Sequence, residues 1–102
     1  MLKHCVFVNF KPGIPQDDRL AVLAGFKAVA DDVEGLVDYA YGPNLDFENK
    51  SAAYGEGFIV TFTDRAAHLQ YEAHPTHVRL GKQLVSMCQG GYDGIIVFDL
   101  EC

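Results

Sequence analysis

"FIVTFTD", Phe58 to Asp64, carries apolar side chains on both sides of an extended chain: Phe58, Val60 and Phe62 point one way and Ile59 the other. Its β-branched and aromatic residues favour a strand, and Asp64 suits the cap of a helix running to about Glu72. An antiparallel strand covered on one side only should alternate apolar with polar residues. This one does not, and it has company. In "KHCVFVNF" (Lys3 to Phe10) Val6 and Val8 oppose Cys5 and Phe7, and in "IIVFDL" (Ile95 to Leu100) Ile95 and Val97 oppose Ile96 and Phe98.

The segments between these strands read as follows. From about Gln16 to Val33, Leu20, Leu23, Phe26, Ala30 and Val33 recur every three or four positions, the spacing of an amphipathic helix. Asp17 and Asp18 fall in its first turn, Asp31 and Asp32 lie on a solvated face near its end, and Gly35 stops it. "LVDYAYG" (Leu36 to Gly42) is a second strand, and the polar, aperiodic stretch from Pro43 to Gly57 predicts a cover or a mobile connection. Pro75 suits the first turn of a helix ending near Cys88. Gly90 and Gly91 read as cap and turn, because no Lys-Ser/Thr follows to complete a phosphate loop. The order is β-α-β-β-α-β with the second helix broken at Pro75. That predicts one α+β domain over residues 1–102, with a ferredoxin-like four-stranded antiparallel sheet and helices on one face. Two helices cover one apolar face, so the other needs a partner. A second copy packed sheet on sheet is the simplest, a homodimer whose interface should exceed roughly 1,000 Å².

Composition narrows the function. The chain has 102 residues, 49% hydrophobic and 22% charged, a profile that suits a packed core and not disorder. Eight basic residues against 14 acidic ones, net charge −6 with no Lys/Arg cluster, exclude nucleic acid and anionic membranes as partners. Cys5, Cys88 and Cys102 form no CxxC pair, so neither a disulfide framework nor a zinc site of the usual spacing is expected. No signal peptide or membrane span is legible, and a cytoplasmic location is expected.

"KHCVFVNFK", the "YGPN" after the second strand, "YEAHPTHVRL" (Tyr71 to Leu80) and the closing "IIVFD" together resemble the stress-responsive dimeric α/β-barrel (Dabb) family over essentially the whole chain. The resemblance implies a ferredoxin-like fold, two sheets packed back to back as a dimeric α/β barrel, and a pocket between sheet and helices in each protomer. It extends to plant polyketide cyclases of the olivetolic-acid-cyclase type. There a tyrosine and the histidine after His-Pro-x carry catalysis, which falls on Tyr71 and His77, and an early strand histidine lines the pocket, matching His4. A further pocket histidine before the third strand is absent, and Glu56 stands in its place. Most members of the family have no assigned activity.

Residue chemistry leaves two readings of His77 open. In the first turn after Pro75 the helix dipole favours its neutral, proton-accepting form. With Tyr71 opposite, one group could take a proton beside a carbonyl while the other steadies the enolate. The other reading is a histidine bonded to backbone at a crowded helix junction. His74 is expected to cap the helix, His4 to enter the pocket, and His68 to lie on the exposed side of its helix. His74 and His77 straddle a helix start and have no cysteine near, so no metal ligand set and no cofactor are expected. Val6, Val8, Leu23, Phe26, Phe58, Leu80, Ile95 and Val97 are the expected apolar walls of a small-ligand pocket, with His4, Tyr71 and His77 as its polar groups. The site predicts either cofactor-free acid–base chemistry on a small carbonyl compound or a non-catalytic dimer holding an apolar ligand.

Overall fold

A computed structural model describes residues 1–102. Its elements are β1 (Leu2–Val8), α1 (Gln16–Ala30), β2 (Leu36–Pro43), β3 (Glu56–Phe62), α2 (Arg65–Ala73), α3 (Pro75–Met87), a 3₁₀ turn (Gly91–Gly94) and β4 (Ile95–Glu101). The strands form one antiparallel sheet in the order β2-β3-β1-β4. This is the predicted ferredoxin-like arrangement, with the second helical segment split in two.

Local chemistry sets the element ends. The Asp64 carboxylate accepts from the Ala67 N–H at 3.0 Å and opens α2. His74 ends α2 and caps α3, its Nδ1 accepting from the Thr76 N–H at 3.1 Å, while Pro75 occupies the first turn. α1 is shorter than its periodicity predicts, stopping at Ala30, because the chain must turn to reach β2. Gly35 makes that turn at φ +88°, and a Cβ there would lie 2.7 Å from Thr63 Oγ1 and 2.8 Å from the Ala67 Cβ.

The core lies between the sheet and its helices. Val8, Leu23, Phe26, Val29, Val60 and Phe62 are at most 1% exposed, and burying each large side chain contributes about 1.5–3 kcal/mol. Phe26 and Phe58 stack with centroids 5.1 Å apart, locking α1 onto β3. The opposite face is apolar too. Cys5 and Thr61 are buried there, with Lys3 Nζ donating to Thr61 Oγ1 at 3.1 Å, but Ile59, Phe98 and Leu100 are exposed.

The connection after β2 is not the unstructured segment its composition predicts. Asn44 Nδ2 donates to Ser51 Oγ and to the Tyr54 carbonyl, each at 2.8 Å. Asp46 Oδ1 accepts from the Lys50 and Ser51 N–H groups at 2.8 and 3.0 Å. Asp46 and Asn49 hold φ of 46° and 54°, a conformation these two residue types tolerate best among non-glycines. The loop is closed by its own side chains, a device that polar composition alone does not reveal.

Candidate active site

The junction of α2 and α3 folds Tyr71 and His77 against one another. Tyr71 is in the last turn of α2, His77 in the first turn of α3, and the bend at His74-Pro75 turns both toward the sheet. Their ring centroids are 4.2 Å apart. Beneath them lie Phe62, 5.3 Å from Tyr71, and Phe26, 5.6 Å from His77. His4 reaches in from β1, with its ring 6.1 Å from Tyr71.

Burial sets the electrostatics. Tyr71 is fully buried, and desolvation of the phenolate pushes its pKa far up, so the hydroxyl stays protonated. Desolvation likewise lowers the pKa of His77 and outweighs an opposing contact with the Glu72 backbone, so the ring is neutral near pH 7. The Tyr71 hydroxyl finds no hydrogen-bond partner within the chain, and His77 Nδ1 makes no well-formed hydrogen bond, although the Glu72 backbone lies near the ring. The arrangement thus sets a protonated phenol beside a neutral imidazole among buried aromatic side chains.

The expected walls are placed unevenly. Val6, Val8, Leu23, Phe26, Phe58 and Leu80 belong to the buried core, and Ile95 packs partly buried against it. Val97 departs from the expectation. It pairs with Val6 in register, but β4 is an edge strand beyond the helical layer, and Val97 is 46% exposed. Glu56 is held by Arg19, whose Nη1 donates to Oε1 at 2.8 Å.

His68 requires the main correction. Predicted to face solvent, it is 2% exposed, because three residues before Tyr71 it shares that residue's inward face, and Leu69 takes the outward position instead. Its ring lies 4.9 Å from that of His4 and 5.4 Å from Phe62, and burial lowers its pKa. Beyond His4 stands Asp99, whose Oδ1 is 2.6 Å from His4 Nδ1. One ligand-capable atom from each of His4, His68 and Asp99 falls within 4.8 Å of the others. The spacing of His74 and His77 gives no sign of this cluster. The available signal was the three-residue spacing of His68 and Tyr71. No helix is long and apolar enough to cross a membrane.

Similarity to known proteins agrees with this fold. A dimeric ferredoxin-like protein of unknown function from Jannaschia sp. CCS1 superposes with a TM-score of 0.93 at 42% identity, over 99% of this chain and 98% of that one. The hydroxynitrile lyase of Passiflora edulis shares the fold, with a TM-score of 0.81 at 17% identity over 97% and 90% of the two chains. The stress-response A/B barrel domain-containing protein HS1 of Arabidopsis thaliana is 26% identical over 100 residues, 98% of this chain and 88% of its own. With residues 2–102 also matching the family model itself, the chain belongs to the stress responsive A/B barrel domain family, Dabb.

Proposed function

We propose that Tyr71 and His77 form an acid–base site for cofactor-free chemistry on a small carbonyl or polyketide-like compound, within a homodimer. One observation supports this above the others: two rings 4.2 Å apart, with the Tyr71 hydroxyl and His77 Nδ1 both buried and neither in a well-formed hydrogen bond. Each such atom costs about 1–3 kcal/mol when left unbonded, and a ligand carrying its own polar groups relieves that cost. Neutral His77 takes a proton from the carbon beside a carbonyl, and the Tyr71 O–H donates to the oxygen as it becomes negative. The enolate carbon then attacks a second carbonyl of the same molecule, forming a C–C bond, and the imidazolium returns its proton to the new alkoxide. No electron or cofactor is consumed. In this reading Phe26, Phe58, Leu23 and Leu80 would wall the reacting end, and substrate would enter past His4 at the β1–β4 side, where Asp99 is exposed.

The homodimer is supported by the exposed Ile59, Phe98 and Leu100 on the sheet face away from the helices, and by the dimeric relative from Jannaschia. Three free cysteines suit a reducing, cytoplasmic setting. A panel of polyketide-like dicarbonyl acids and thioesters, together with cyanohydrins as a lyase probe, tests the chemistry. Tyr71→Phe and His77→Gln should each lower kcat by about 10²–10⁴-fold while the fold melts cooperatively. Equal turnover by both variants and the parent, or no reaction with any compound, would reject the acid–base reading.

A second reading, a non-catalytic ligand-binding or stress-associated dimer, is favoured by a different observation. A concavity of about 600 Å³ lies on the far sheet face under the 44–51 loop, lined by Phe7, Tyr41, Leu45, Phe47 and Ile59 and remote from the Tyr71 hydroxyl. Protection of Phe47 and Ile59 by a bound apolar acid, with no turnover, is the result that reading requires.

A further inference from the structure

We infer that His4, His68 and Asp99 form a binding site for one divalent transition-metal ion of the zinc class. The inference is independent of the acid–base reading above and needs no catalysis. Three elements converge on the site. His4 and Asp99 face each other in register on β1 and β4, and α2 lays His68 over them. Two imidazoles and one carboxylate are a ligand set that zinc and cobalt accept, with a fourth position left to water or substrate.

The geometry is close to what an ion needs. Metal–ligand distances of about 2.0–2.1 Å in a tetrahedral site put ligand atoms roughly 3.3 Å apart. Here the three candidate atoms lie within 4.8 Å of one another, with the Asp99–His4 pair at 2.6 Å. The Asp99 side chain is 40% exposed, so solvent leaves it room to rotate and open the short pair as an ion enters.

A second observation points the same way. His68 is 2% exposed, yet neither of its ring nitrogens makes a hydrogen bond. Glu72 Oε1 is 3.3 Å from Nε2 but poorly aligned, and its side chain is half exposed. A core histidine kept only for packing would be expected to bond at least one nitrogen, since leaving both unmet is costly. Coordination resolves this, giving one nitrogen an ion while the Glu72 carboxylate orients the ring, as carboxylates commonly do for metal-bound histidines. His74 is the contrasting case. It also meets a carboxylate, Asp32 at 3.2 Å, but its other nitrogen is used by the Thr76 N–H, so its two nitrogens are accounted for.

The test is a titration of the full-length chain, in a Cys102→Ser background that removes the exposed thiol, with Co²⁺ and Zn²⁺ alone. One equivalent per chain should bind, with cobalt d–d bands of a four-coordinate N/O site and a rise in Tm. Asp99→Asn and His4→Gln should each weaken binding at least about tenfold, given that removal of a mere outer-shell partner costs 10–100-fold. His74→Gln should leave it unchanged. His68→Leu should abolish the site, and circular dichroism checks that this core variant folds. If it does not, the surface variant Asp99→Asn decides the matter, because an exposed residue can be changed without unfolding the chain. Affinity and cobalt spectrum unchanged by Asp99→Asn would overturn the site, as would loss of binding in His74→Gln.

Discussion

The two faces of the sheet use similar residues to opposite ends. On the helix side Val6, Val60 and Phe62 are sealed under α1, α2 and α3, and the polar groups there include the His4, His68, Tyr71 and His77 cluster. On the other side Ile59, Phe98 and Leu100 stand open with no helix over them. An apolar residue on the first face holds the chain together, while one on the second is available to hold two chains together. The difference shows that hydrophobicity alone does not reveal a residue's role: strand position and cover decide it.

The comparison can be broken most severely from inside. Phe26→Ala should destabilise the chain by about 3–5 kcal/mol, read by denaturant unfolding, whereas Phe98→Ala in the isolated protomer should cost under about 1 kcal/mol. Phe98 should matter to assembly instead. Phe98→Glu is expected to weaken the dimer by about 2–4 kcal/mol, turning it monomeric at micromolar concentration in sedimentation, with the fold retained. A dimer of undiminished affinity would move the interface elsewhere.

Smaller effects sharpen the same contrast. Asp64→Ala should cost about 1 kcal/mol by freeing the Ala67 N–H, a loss visible as a lower Tm. Tyr71→Phe removes a buried hydroxyl without a partner, so stability should hold or rise by about 1 kcal/mol even as activity falls. The pH response is the gentlest. His77 has a lowered pKa in the folded chain and about 6.5 when unfolded, so its contribution is complete above pH 6.5. As pH falls below that value the unfolded chain takes the proton first, and stability drains away toward the folded pKa. Scanning calorimetry should show a Tm that is flat from pH 8 to 7 and falls toward pH 5, with a shallower fall in His77→Gln.

What could be read from the sequence was mostly local. The strands, the Asp64 and His74 caps and the first-turn Pro75 each follow from chemistry within a few residues, and the two-faced strands announced an uncovered sheet face. What could not be read depends on long-range geometry. Val97 looks like Val6 in sequence, but only the strand order places it at an edge. The phase of α2 is ambiguous in the sequence because Ala66, Ala67, Leu69 and Tyr71 spread around a nine-residue helix, so the pattern does not place His68 on the buried side. The meeting of His4 with Asp99 depends on a register across 95 positions of chain.

The closed loop after β2 has a consequence of its own. Asn44 and Asp46 fix the backbone on either side of Phe47, whose ring is 91% exposed. The entropy of ordering that arm is lost at folding, so a body that meets the ring need not freeze it again. Phe47 therefore resembles a rigid peg more than a tether: contacts to it should form with little rearrangement, and loosening the loop through Asp46→Ala should weaken them without touching the ring itself.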